Sequence, residues 1–307
     1  MTGIDASVEI AYELDRLSQS SVVAERAPRS KALYAYLARG MQGGVTTEAP
    51  SHGFVDITNT LIEKLGIWWS PQGYGQLPAM VPWCVRDRSC RYDQGPESWG
   101  APRNDAYLRD DNSIIKKLPL TCVVSAPSGH PYRGRKPWRG FTACHIWRDL
   151  PDGTLAGADP WLYSFMPNLI WLPSWLAPLT DRQSSEVQRT LQRTSIALFR
   201  KVQVPSQLRP YAEYGWSRLH KPPPGYVLPT EQLAMFNPHE KFFRNRVNYL
   251  NKIVAGTDAV LTRGSLPAKL ICSRYTEGLP RLDTAAISQF GSAMKTYRDA
   301  VVDASRT

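Results

Sequence analysis

Phe141-Thr142-Ala143-Cys144-His145-Ile146-Trp147 and, after a gap, Asn168-Leu169-Ile170-Trp171-Leu172-Pro173 are the two stretches on which the reading of this chain turns. The first is short, apolar and aromatic, which predicts a strand presenting a histidine. A turn is expected at Pro151, Asp152 and Gly153, where a fixed φ, a turn-forming carboxylate and a glycine meet. Asn168 opens the segment Asn168 to Leu179, and the amphipathic pattern from about Ser184 to Val202 predicts a strong helix. Strand, returning loop and helix would bring one imidazole and one carboxamide together.

Those two groups have a chemistry in common only if something else joins them. An unperturbed imidazole titrates near ~6.5, so at neutral pH it is mostly uncharged and able to take a proton from water. Hydrolysis of a phosphodiester needs such a base, a metal to neutralise charge, and a rigid frame. The run CHIW followed by NLIWLP resembles the HNH (ββα-metal) endonuclease pattern, a His-Ile pair followed by Asn-Leu and a short helix, and the resemblance covers residues 138–182. It implies His145 as general base, Asn168 as the structural asparagine, and a divalent cation such as Mg²⁺. Many relatives carry an Asp where this chain has Cys144, and the last ligand, a His or Asn on the helix, has Asp181 as its nearest counterpart. Cys144 and Asp181 are therefore the metal candidates, with Asp149 and Asp159 as further acids in turn-like sequence. Each residue also has a plain structural reading: His145 as a half-buried, hydrogen-bonded strand residue, Asn168 as a turn former after Pro167, and Asp181 as a helix cap or first-turn acid.

Upstream of the strand the sequence PYRGRKPWRGF is basic and aromatic. Arg133, Arg135, Lys136, Arg139 and Arg148 come without an intervening acid, interleaved with Tyr132, Trp138 and Phe141. Arginine grips phosphate in a fixed fork, and neighbouring aromatic rings can stack on sugars or bases. Downstream, Arg182, Arg189, Arg193 and Arg200 follow spacings of 7, 4 and 7, which puts them along one helix face. Lys241, Arg244, Arg246 and Lys252 add a second basic patch. The alternative for all of these is a solvated charged face.

Further out, helical periodicity is expected over Asp5 to Leu17, Ser30 to Met41, and Phe54 to Leu65 ending at Gly66. A strand is expected at Leu118 to Ser125, within a loop-rich stretch carrying Trp68, Trp69, Trp83 and Trp99. The Pro-rich stretch Lys221 to Pro229 reads as a linker, followed by helices over Glu240 to Ala255 and Thr284 to Ala304, with His239 as a helix start. Three regions result: 1–130 for recognition or dimerisation, 131–202 as the ββα-metal core, and 203–307 as linker and helices. The fold class is α+β, a small HNH-like core embedded in mainly helical flanks.

The 307 residues carry a formal charge of +10, with 42% hydrophobic and 21% charged residues. The calculated pI of about 9.4 favours polyanionic partners. No run approaches the ~18 apolar residues of a membrane span, and Met1 to Asp15 has no apolar signal core, so a cytoplasmic protein without a membrane partner is expected. Cys84, Cys90, Cys122 and Cys144 are spaced by 6, 32 and 22, which matches no zinc knuckle, so structural Zn²⁺ is not the favoured reading. No glycine-rich phosphate loop is present. A chain of this size around such a core resembles a type II restriction endonuclease, which implies double-stranded DNA as substrate and a homodimer for a twofold site. The rival readings are a noncatalytic DNA-binding protein with a degenerate HNH fold, and a partner-binding protein whose Trp-rich segments pack on another chain.

Overall fold

The computed structural model describes residues 4–5, 52–86, 108–110, 113–153, 155–174, 176–180, 185–271, 276 and 278–305. The helices expected at Asp5 to Leu17 and Ser30 to Met41 lie outside these residues, apart from Asp5, which ends the short strand β1 (Ile4–Asp5).

The frame is a five-stranded mixed sheet built from β2 (Ile67–Trp69), β5 (Val123–Ser125), β7 (Phe141–His145), β8 (Leu169–Pro173) and β9 (Ala234–Asn237). Their spatial order is β5-β9-β2-β8-β7. The central strand β2 pairs antiparallel with β8 and parallel with β9. Its three residues Ile67, Trp68 and Trp69 are all fully buried. Such a strand shows no alternation, because both faces are covered. Trp171 on β8 meets Phe236 on β9 edge-on at 5.2 Å, and Trp69 lies 5.2 Å from Phe242. These rings anchor the core. Two smaller pairs flank the sheet: β3 (Cys84–Arg86) with β4 (Leu108–Asp110), and β1 with β6 (Pro137–Arg139).

The chain is thus α+β, and the sheet draws strands from all three of the regions 1–130, 131–202 and 203–307. Helix α1 (His52–Leu65) ends at Gly66, where the expected helix ended, and packs on β8 and β9. Gly66 is required there, since a Cβ would lie 2.6 Å from the Ile62 carbonyl oxygen. Short helices α2 (Pro71–Gln76) and α3 (Ser113–Lys117) follow. Helix α4 (Glu186–Phe199) is capped by Ser185, whose side chain accepts from the Gln188 N–H, inside the predicted span. Helix α5 (Arg209–Ser217) carries no strong periodicity and was not anticipated.

Helices α6 (Glu240–Arg263) and α7 (Thr284–Ala304) form an antiparallel pair: Gly291 abuts Thr257, and Arg298 donates to Asn251 at 2.8 Å. His239 does start α6, its Nδ1 accepting from the Phe242 N–H, and Asp283 caps α7. The α6 helix continues past the expected end at Ala255 to Gly264, whose φ of 67° closes it. The expected strand at Leu118 to Ser125 is shorter: Pro119 sits in a 3₁₀ turn over Leu118–Thr121, and only Val123–Ser125 pair as a strand.

Candidate functional site

The two decisive stretches pair with each other. Strand β7 lies antiparallel to β8, with His145 opposite Leu169, and residues 146–168 form one long connection between them. Helix α4 follows, so the chain order is strand, strand, helix.

Asn168 closes the base of that connection. It is fully buried. Its Oδ1 accepts from the Trp147 N–H at 2.7 Å, and its backbone oxygen accepts from the Ile146 N–H at 2.9 Å. Its Nδ2 donates to the Leu162 carbonyl at 3.2 Å, and its own N–H donates to the Phe165 carbonyl at 2.9 Å. Every polar group of the residue is therefore used, which a buried carboxamide requires. Helix α4 adds a fifth tie, Ser195 Oγ donating to the Pro167 carbonyl at 2.5 Å. The returning arm is also stitched to residues 78–81: Met166 donates to Pro78, and Met80 donates to Ser164. The loop is thus a rigid frame.

His145 ends β7 on the side away from Cys144. Its Nε2 lies 3.0 Å from the Tyr163 carbonyl oxygen. A carbonyl only accepts, so Nε2 carries the hydrogen and, in the neutral ring, Nδ1 keeps its lone pair. The imidazole pKa is held down at about 4, first by burial, with the Arg86 charge acting the same way and the Tyr163 carbonyl opposing both. At neutral pH the ring is an uncharged acceptor with one fixed tautomer.

Arg86 is a neighbour of His145 that sequence reasoning missed. A Cβ placed on Gly157 would meet Arg86 Cβ and His145 Cε1 at 3.6 Å each, and Arg86 Cδ at 3.7 Å. Strand β3, which ends on Arg86, packs on the Ala156–Ala158 turn. Arg86 lies 59 residues before His145 in the chain, and no local pattern links them.

The described acidic candidates each have a neighbour that accounts for them. Asp159 is buried, its Oδ1 accepts from the Trp161 and Leu162 N–H groups at 2.9 and 2.8 Å, and Arg218 lies 3.3 Å from its other oxygen. Asp159 is therefore a turn former and ion-pair partner. Asp149 is half-buried beside His220, where Asp149 opposes the burial that lowers the His220 pKa. Cys144 is buried, on the opposite face of β7 from His145, since successive strand residues alternate. Asp181 and Arg182 lie outside the described residues. Among the described residues no three His, Cys, Asp or Glu side chains converge as a metal group, and Cys84, Cys122 and Cys144 are buried thiols.

Of the basic candidates, Arg133, Arg139 and Arg148 are exposed and Arg135 and Lys136 half-buried. The 131–136 loop is fastened to β5 by Val124 N–H to the Arg135 carbonyl and Gly134 N–H to the Val124 carbonyl, both 2.9 Å. Tyr132 and Phe141, expected among the exposed stacking rings, instead pack edge-on in the core at 6.0 Å. The helix face also needs correction. Arg189 is half-exposed and 3.8 Å from Glu186, but Arg193 is buried. It pairs with Glu186 at 2.7 Å and donates to the Pro223 and Tyr226 carbonyls at 2.7 and 3.2 Å. Arg200 lies over the Trp216 ring at 5.4 Å. Spacing put these arginines on one side of α4, but at Arg193 that side is covered by the Pro-rich strap.

Fold and site define an α+β chain with a neutral imidazole, its tautomer fixed by the Tyr163 carbonyl, at the end of a strand whose connection is pinned by Asn168. Comparison with protein-family models, curated proteins and solved structures gives no match. The described helices include none long and apolar enough to cross a membrane.

Proposed function

We propose that the chain is a DNA endonuclease of the HNH kind, with His145 as the general base and Asn168 as the strut that holds the loop around it. The observation that carries this reading is the His145 Nε2 contact to the Tyr163 carbonyl at 3.0 Å, which leaves Nδ1 as an acceptor. Asn168 supports it, because its four bonds fix the connection from which Tyr163 projects.

In the proposed reaction Nδ1 takes a proton from water while the oxygen attacks phosphorus. The bond from phosphorus to the 3′ oxygen breaks, and that oxygen takes a proton from solvent. The resting pKa of about 4 makes His145 permanently available but weak as a base. A phosphate anion beside the ring would favour the imidazolium and strengthen the base once substrate is bound. No step is assigned to Mg²⁺, because the described residues do not assemble a ligand set for it. The divalent-cation requirement stays part of the proposal.

Arg133, Arg135, Lys136, Arg139 and Arg148, with Arg182 and Arg189, are proposed to hold double-stranded DNA, and the +10 charge favours the encounter. A type II restriction enzyme acting as a homodimer in the cytoplasm is the specific form of the proposal. Supercoiled plasmid incubated with the wild type and His145→Ala, with Mg²⁺ or with EDTA, tests it. Discrete fragments that vanish in the variant and in EDTA support the metal-dependent nuclease. Intact but retarded DNA would make the chain a noncatalytic binder, and no retardation at low salt would leave neither.

A further inference from the structure

We infer that the exposed face of helix α6 between Lys241 and Lys252 docks in the major groove of duplex DNA, with Asn245 and Asn248 at the base edges. The assignment deepens the endonuclease reading by giving it an element that reads sequence, and it rests on that reading for DNA as the partner.

The period of the helix sets the face. Lys241, Arg244, Asn245, Asn248, Lys252 and Ala255 are all exposed. At ~100° per residue they fall within about 100° of arc. Phe242, Leu250, Ile253 and Val254 are buried away from that arc, and α6 packs on α7. Arg246, which the sequence put in the same basic patch, belongs to the buried side. It is 2% exposed, and its guanidinium carbon lies 3.7 Å from the centre of the Tyr249 ring. From Lys241 to Thr257 the helix carries no acid; Glu240 precedes the stretch and Asp258 follows it. On the flank, Arg298 of α7 donates to Asn251 at 2.8 Å and to its own neighbour Asp299 at 2.6 Å.

Charge and residue type together select the occupant. Three exposed cations with no acid between them attract a polyanion, and the chain's charge of +10 acts in the same direction. Lysine and arginine contact phosphates whatever the sequence, so they set position and register. Asparagine adds what a solvated face does not need. Its carboxamide holds a donor and an acceptor in one plane, the pattern that matches N6 and N7 of adenine. Asn245 and Asn248 stand between Lys241 and Arg244 on one side and Lys252 on the other. Lys241 and Lys252 are about 16 Å apart along the axis, enough to reach phosphates on both walls of a major groove about 12 Å wide. The face is convex and apart from the Arg133–Arg148 cluster in sequence, so it needs no pocket to bind.

The experiment uses the full chain in EDTA, so that binding is read without cleavage. Short duplexes with a randomised centre are selected for binding and sequenced, and fluorescence anisotropy then compares the enriched duplex with a scrambled one. Lys241→Ala, Arg244→Ala and Lys252→Ala are expected to weaken both duplexes alike and to lower the salt slope by about one each. Asn245→Ala and Asn248→Ala are expected to lose about tenfold or more on the enriched duplex and little on the scrambled one, with the preference lost at an adenine. All five positions are exposed, and an unchanged thermal midpoint checks each fold. Unchanged affinity and slope in the three cation variants would make the face merely solvated and overturn the inference. An enriched duplex bound equally well without both asparagines, or no enrichment at all, overturns it too. His145-dependent cleavage that ignores all five variants sinks the docking face and keeps the nuclease. A preference carried by the asparagines in a chain that never cuts DNA does the reverse.

Discussion

The Trp147 backbone N–H donates to the Asn168 carboxamide oxygen at 2.7 Å across 21 residues of sequence. Because both groups are buried, neither can turn to water if the other is lost. Asn168→Ala is expected to destabilise the fold by about 2–4 kcal/mol, from orphaned backbone groups plus a small cavity. Asn168→Asp keeps the acceptor, loses the donor to Leu162 and places a charge in the core, so it should cost at least as much. Urea unfolding followed by Trp fluorescence reads both, and a loss below about 1 kcal/mol would mean that Asn168 is not the strut described.

The His145 imidazole should titrate near pH 4 rather than at the usual 6.5, with burial as the main cause. The unfolded chain then binds a proton that the folded chain does not, over the window between these two values. Stability from this residue is therefore complete above about pH 6.5, falls as the pH drops towards 4, and levels off below. Unfolding midpoints at pH 7 and pH 4.5 should differ more in the wild type than in His145→Gln. A Cε1 titration midpoint at or above 6.5 would contradict the environment described.

Arg193 is a clamp. Its guanidinium holds Glu186 and the Pro223 and Tyr226 carbonyls, and a Cβ on Gly225 would lie 2.5 Å from Arg193 Cζ. Arg193→Ala is expected to cost about 2–4 kcal/mol and to make the 221–229 stretch a new site of limited proteolysis. Gly225→Ala should shift in the same direction by less, since only the tip of a long side chain must move. Unchanged proteolysis in both variants would show that the strap is held by other contacts, such as the Leu228 N–H to Thr194.

If Arg133 and Arg139 contact DNA phosphates, replacing each by Ala should weaken binding evenly across sequences. Each loss should lower the slope of log affinity against log salt by about one. Filter binding or anisotropy from low to moderate salt measures this, and an unchanged slope would remove the two residues from the interface.

The parts of the fold that could be read from sequence are those with their own local code. Helices α1, α4, α6 and α7 carry helical periodicity, with end signals at Gly66, Ser185, His239 and Asp283. The α6 helix runs past Ala255 because Gly256 is no break but a close-packing position against Leu266 and Leu279. Strands β2 and β9 are three and four residues long, and β2 is wholly buried, so no alternation announces them. His145 and Asn168 were legible because they lie in two short, recognisable runs. Arg86 was not, because its neighbour is chosen by tertiary packing. Spacing along α4 gave the side on which Arg193 sits but not whether that side faces water.

Strand β9 lies between β5 and β2, although it follows both in the chain. During synthesis, β2 and β5 leave the ribosome well before the strand that must separate them. The sheet under the histidine therefore cannot close until residue 237 has emerged, and until then the nascent chain carries the Ile67–Trp69 strand with one edge unpaired. Expression yield should accordingly depend on chaperone supply, and a version ending before β9 should accumulate as aggregate rather than as a smaller folded protein.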